Sequence, residues 1–186
     1  MLKRSFDFTL SLIALILLSP VIAALVIAVR ATSPGPGVFT QVRVGRNGVP
    51  FRCHKLRTMG KDTAAVPTHE AEASSITPLG RILRSTKLDE LPQLYNVLRG
   101  EMSFVGPRPC MPSQTELIEL RRERGVLAAR PGITGLAQIR DIDMSDPLKL
   151  AEVDAAYVRT ANFMVDLRIL LATVLGARGL GDRVVR

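Results

Sequence analysis

Asp89 and Glu90 are the most chemically suggestive pair in this 186-residue chain. They follow Lys87, lie near Arg81 and Arg84, and sit at the expected start of a helix. Cations and backbone amides there favour an ionised carboxylate. An ionised Asp can act as a nucleophile or hold a divalent cation. The pair also has an ordinary reading, because acids in a first helical turn stabilise many helices. Arg108 is less ordinary. Pro107 and Pro109 restrict its backbone and fix where the guanidinium points, which suits a fork that grips phosphate. Lys55 and Arg57 end an expected strand, and alternation puts both on one face, where two cations call for solvent or an anion.

Other chemistries are poorly served. His54 and His69 are the only histidines, and neither has a metal-ligand spacing. Cys53 and Cys110 make neither a disulfide framework nor a Cys-x-x-Cys motif, which fits a reducing compartment. The glycine patterns of serine hydrolases, P-loops and dinucleotide folds are missing.

The elements that must position these residues read as mainly α with a small β hairpin, an α+β arrangement. Val38–Val44 and Val49–Leu56 are β-prone, with Arg46-Asn47-Gly48 as the turn. Lys61–Thr77 reads as a loop or short helix. A short helix is expected from Pro78 to Arg84. A second follows an N-cap at Thr86, becomes regular near Glu90 or Leu91 because of Pro92, and ends at Gly100. Met102–Val105 is a short apolar run, and Arg130–Gly135 reads as an irregular loop. Pro112–Ala129, Leu148–Val158 and Phe163–Leu175 read as helices. The last two are amphipathic and suit either an interface or a core.

The net charge of +8 is concentrated near the N-terminus, where residues 1–60 hold eight cations against Asp7 alone. That block suits anionic headgroups or phosphorylated substrates. Nucleic acid is not the expected partner, since aromatics are 4% and no recognition motif is present. Phe8–Val29 is nearly all apolar and long enough to reach across a ~30 Å hydrocarbon core. Pro20 crowds the Ile16 carbonyl and should kink such a helix, while Ser19 can satisfy the carbonyl it frees. The residues alone leave a kinked span and a re-entrant hairpin open, the span being the plainer.

Five segments then line up in one order: Lys55-Leu56-Arg57-Thr58-Met59; Leu79-Gly80-Arg81 with Arg84; Leu88-Asp89-Glu90-Leu91-Pro92-Gln93-Leu94 through Gly100; Met102-Ser103 with Val105-Gly106-Pro107-Arg108-Pro109; and Pro131-Gly132-Ile133-Thr134-Gly135 with Gln138. This pattern resembles the bacterial sugar transferase family, the monotopic phosphoglycosyl transferases, and is most similar to its small members. The resemblance implies a re-entrant membrane helix over residues 1–31, broken at Ser19 and Pro20. It implies a catalytic domain over 32–186 on the cytoplasmic face of the bacterial inner membrane. It further implies Asp89 as nucleophile and Mg²⁺ ligand, Glu90 as its partner, a UDP-sugar donor, undecaprenyl phosphate as acceptor, and UMP as leaving group, at the start of a membrane glycoconjugate. Lys55, Arg57, Arg81, Arg84 and Arg108 are by position the candidates for phosphate or headgroup contacts, and Gln138 for the donor site. Glu90 is left as metal support or base, and a homodimer is kept open.

The run Ile139–Asp146 departs from the Asn-Gly-Arg-Asn-like sequence of many relatives, which bears on the sugar. An N-acetylated amino sugar is expected, with glucose or galactose as the alternative. The competing functions are an ordinary glycosyltransferase that releases UDP and a non-catalytic basic membrane adaptor.

Overall fold

The computed structural model describes residues 2–60, 63 and 75–176. A long apolar helix, α1 (Leu2–Thr32), leads into an antiparallel hairpin of β1 (Val38–Val44) and β2 (Pro50–Leu56). Helices α2 (Pro78–Ser85) and α3 (Gln93–Arg99) follow, then β3 (Ser103–Val105), α4 (Thr115–Glu123), β4 (Gly132–Thr134) and the one-turn α5 (Leu136–Ile139). Two further helices, α6 (Pro147–Thr160) and α7 (Phe163–Val174), close the order.

The hairpin and the last two helices lie where the residue pattern puts them. The turn is made by Asn47 at φ 58° and Gly48 at φ 78°, the left-handed pair that such a turn requires. Four expectations are corrected. Thr86 does not cap a second helix; it ends α2, where its hydroxyl donates to the Ile82 carbonyl at 2.7 Å. The chain then reverses through Lys87 at φ 60°, so Leu88–Glu90 form a single 3₁₀ turn and α3 begins only at Gln93. The loop Arg130–Gly135 contains a strand, because β4 pairs in parallel with β3. The expected helix over Pro112–Ala129 is shorter, α4 being followed by a separate turn at Val126–Ala128. Most of Lys61–Thr77 lies outside the described residues.

The β3–β4 pair depends on an unusually close backbone approach. A Cβ on Gly132 would stand 2.1 Å from the Gly106 nitrogen. One on Gly106 would stand 2.3 Å from the Arg130 carbonyl oxygen. Only residues without side chains let the two loops interlock here.

Helix α1 is long and apolar enough to cross a membrane, and most of its surface is exposed. It runs as one helix through Pro20, and the Ser19 hydroxyl donates to the Ile16 carbonyl at 2.9 Å, the group that proline frees. Both of its ends pack on the globular part. Near its start, Arg4 donates to the carbonyls of Val97 (2.7 Å) and Leu98 (2.8 Å), and buried Asp7 accepts from the Phe104 amide (3.3 Å). Lys3 pairs with Asp166 and donates to the Val105 carbonyl. Near its end, Val29 is buried with Leu56 and Leu83.

Replacing Gly132 by Ala should therefore separate β3 from β4. We expect Gly132→Ala to cost about 1–3 kcal/mol, the usual range for overpacking, read as a lowered unfolding midpoint in detergent. A variant as stable as the parent would show that the two loops can part freely.

Candidate functional site

The site begins at the 3₁₀ turn. Asp89 and Glu90 are both buried, at 3% and 7% exposure, in a turn rather than on a helix end. The Glu90 amide donates to the Lys87 carbonyl (3.2 Å), so the left-handed Lys87 sets the direction of both carboxylates. Glu90 Oε1 accepts from Lys55 Nζ at 2.9 Å and from Arg108 Nη1 at 3.3 Å. One carboxylate thus holds two cations that lie far apart in the chain. Burying the Glu90 carboxylate is tolerable because the two cations offset its charge.

Each cation is delivered by its own element. Lys55 stands near the end of β2, and β2 is fastened to α3 by Asn96, which is wholly buried. The Asn96 side chain donates to the Arg52 carbonyl (2.7 Å) and accepts from the His54 amide (3.1 Å). Arg108 is held still more firmly. Its two flanking prolines have no amide to satisfy, and the carbonyls from 107 to 110 each accept from a different partner. The Gly132 amide takes Pro107 at 2.9 Å, Arg121 takes Arg108 at 2.9 Å, Arg43 takes Pro109 at 3.3 Å and the Val44 amide takes Cys110 at 2.9 Å. Arg121 is itself anchored by Asp154, both 3% exposed at the side chain, with contacts of 3.0 and 2.6 Å. Burial pushes the Asp154 carboxyl up from its usual value, while Arg121 pulls it back. Buried Asp166 accepts from Tyr157 at 2.6 Å, and burial with that bond raises the tyrosine pKa, so the phenol stays a donor.

The remaining expected site residues divide. Gln138 is buried and lines the same cavity as Glu90 and Arg108. Arg57 points elsewhere: it is buried and donates to the carbonyls of Pro34 (2.5 Å) and Ser33 (2.8 Å), fastening the loop between α1 and β1. Arg84 donates to the Thr58 hydroxyl at 2.9 Å, beyond the end of β2, and Arg81 is exposed on α2. Ser19 and Pro20 lie exposed in the middle of α1. Cys53 and Cys110 are free and buried, and burial pushes the Cys53 thiol up, so it stays protonated. The sequence reading did not single out Arg121, Asp154, Asp166 or Asn96. Asp154 and Asp166 could have been found, since each is an acid on the apolar face of its helix, which calls for a buried partner.

Comparisons with known proteins bear on this arrangement. The family model described as bacterial sugar transferase matches residues 1–178. A UDP-glucose:undecaprenyl-phosphate glucose-1-phosphate transferase of Klebsiella pneumoniae is 40% identical over 182 residues, 92% of this chain and 39% of that protein. A protein of the same name from Caulobacter vibrioides is 38% identical over 183 residues, 92% of this chain and 68% of its own length. The exopolysaccharide production protein PSS of Rhizobium leguminosarum bv. phaseoli is 38% identical over 197 residues, 97% of this chain and 98% of that protein. The chain therefore spans 39% of the length of the Klebsiella relative and nearly all of the Rhizobium one.

The Arg121–Asp154 pair gives a direct test of how Arg108 is held. Arg121→Met leaves Asp154 buried without its cation and should cost about 3–5 kcal/mol. Adding Asp154→Leu should return much of that in thermal unfolding. If the single variant is no less stable than the parent, the pair does not carry the loop.

Proposed function

The chain belongs to the bacterial sugar transferase family, and from that premise we propose that it moves a sugar-1-phosphate from a UDP-sugar to undecaprenyl phosphate. The observation that carries this reading is the buried Asp89-Glu90 turn beside Lys55 and Arg108. Such a site suits phosphoryl transfer, where positioning and charge neutralisation do most of the work.

An Asp89 carboxylate oxygen attacks the sugar-bearing phosphorus, and the bond from that phosphorus to the bridging oxygen breaks. UMP leaves with the electron pair, and an acyl phosphate remains on Asp89. An oxygen of the lipid phosphate then attacks the same phosphorus and the carboxylate is released, giving the lipid diphosphosugar. With both attacking oxygens ionised, neither step needs a proton removed. Glu90, engaged by Lys55 and Arg108, serves in this reading to hold the two cations rather than as a base.

A magnesium ion fits the residues only in one form. Among the described residues no group of three or more His, Cys, Asp or Glu could hold a metal. Mg²⁺ in phosphoryl-transfer sites is commonly held by one or two carboxylates together with substrate phosphates. Asp89 would be its protein ligand, and when bound the ion would neutralise the diphosphate and the leaving UMP. The Klebsiella and Caulobacter relatives are named for UDP-glucose. We therefore place glucose ahead of the N-acetylated amino sugar as the first donor to test.

The membrane part of the reading is a re-entrant α1 with both ends on the cytoplasmic face of the inner membrane and the rest of the chain, from residue 32, as the catalytic domain. It is supported by the packing of both helix ends on one globular body and by the exposed apolar centre between them. The exposed apolar side chains of α7 suit the same interface.

Two results check these proposals. In membranes given UDP-glucose, Mg²⁺ and undecaprenyl phosphate, UMP should be released; Asp89→Asn or omission of the metal should lower the rate at least ~10³-fold, on the scale of losing a principal charge-stabilising group. Release of UDP instead would indicate an ordinary glycosyltransferase, release of no nucleotide would favour the adaptor, and full activity in Asp89→Asn would take the nucleophile role from Asp89. For topology, Ser5→Cys and Ala31→Cys should both react with an impermeant maleimide only from the cytoplasmic side. Labelling from opposite sides would establish a span.

A further inference from the structure

Beside the Lys55–Glu90–Arg108 clasp lies a cavity of about 200 Å³. Its polar border is charged, with Lys87, Glu90 and Arg108, but the greater part of its lining is apolar, from Leu91, Leu94, Phe104 and Ile133. The hydroxyls on the lining are already committed. Thr173 donates to the Ile169 carbonyl at 2.8 Å and sits 2.8 Å from the Thr134 hydroxyl, which is left as the donor between them. The Gln138 amide nitrogen is turned toward the Ile133 carbonyl at 3.4 Å.

A sugar ring or a uracil base placed among these apolar walls would lose water from several polar groups and find few partners. A hydrocarbon chain loses nothing of that kind and gains by leaving water. Thr173 lies on the inner side of α7 with buried Asp166 and Ile169, while Met164, Leu167, Leu171 and Val174 form an exposed apolar stripe on the other side of the same helix.

We propose that this cavity receives the first isoprenoid units of the lipid phosphate acceptor, with its phosphate at Lys87 and Arg108. The inference rests on the transferase reading above and adds to it a place for the acceptor separate from that of the nucleotide sugar. In this arrangement the charged border holds the attacking phosphate beside the Asp89-Glu90 turn. The apolar wall accepts the prenyl chain and rejects the polar donor.

The test fills the cavity. Full-length Ile133→Trp in lipid nanodiscs should raise the KM for undecaprenyl phosphate at least tenfold while moving the KM for the UDP-sugar less than twofold. The opposite split would give the cavity to the donor and overturn the proposal, as would no change in either constant. A second readout needs neither a folded variant nor turnover. An undecaprenyl phosphate analogue with a diazirine on its second isoprene unit should label parent-protein peptides that contain Leu91, Phe104 or Ile133. Labelling confined to α1 or to the exposed stripe of α7 would overturn the proposal. A parent protein that releases no UMP from any UDP-sugar would instead sink the functional reading, and the labelling result would still stand apart from it.

Discussion

The backbone from Gly106 to Cys110 is the constraint on which the rest of the site depends. Prolines at 107 and 109 remove two amides, so the segment can be fixed almost wholly through its carbonyls. Three elements supply the donors, β1 through Arg43 and Val44, α4 through Arg121, and β4 through Gly132, while α6 contributes Asp154 as the acceptor behind Arg121. A loop tied to so many partners cannot move without disturbing the core. That rigidity lets Arg108 meet Glu90, and Glu90 in turn gather Lys55 from the hairpin. Pre-organised charges of this kind need no rearrangement when a phosphate arrives.

The apolar helix α1 is part of this framework. Lys3 reaches Val105, the residue just before the pinned segment, and shares Asp166 with Tyr157 of α6. Arg4 covers carbonyls at the end of α3, and Asp7 takes the Phe104 amide. Phe6 packs edge-on against both Phe104 and Phe163. Cations and an acid on the first turns of a hydrophobic helix would be costly in hydrocarbon. Here they are spent on the backbone groups that hold β3 and α3 in place. The membrane segment and the site therefore share one set of buried polar contacts.

Much of this was legible in the residues. The hairpin follows from β-prone runs around Asn47-Gly48, and α6 and α7 from their 3.6-residue apolar period. The grouping of Asp89, Glu90, Lys55 and Arg108 followed from residue type and from the family pattern. What was not legible depended on tertiary pairing. The strands β3 and β4 are three residues each, too short for periodicity to show, and they exist because Gly106 and Gly132 let two distant loops touch. The delayed start of α3 depends on Lys87, a non-glycine residue at positive φ, which no propensity favours. Arg57 resembles Lys55 in position and alternation, yet it turns to the carbonyls of Ser33 and Pro34. Nothing in a strand pattern separates two cations spaced two residues apart when one lies where the strand ends.

The choice of side chains at the clasp has a physical logic of its own. Lysine is a compact point charge on a flexible stem, so Lys55 can reach Glu90 from a strand and still adjust. Arginine carries five N–H donors in a planar fork, and one bond to Glu90 does not by itself exhaust it. A fork is useful only if its direction is fixed, and Arg108 is the residue whose backbone is tied most tightly. Exchanging the two would put the directional group on the freer strand and the adaptable one in the rigid loop. The charge balance points the same way. Lys55, Lys87 and Arg108 surround Asp89 and Glu90 with one positive charge in excess. That excess is small enough to be buried in the absence of ligand and of the right sign to draw in a phosphate.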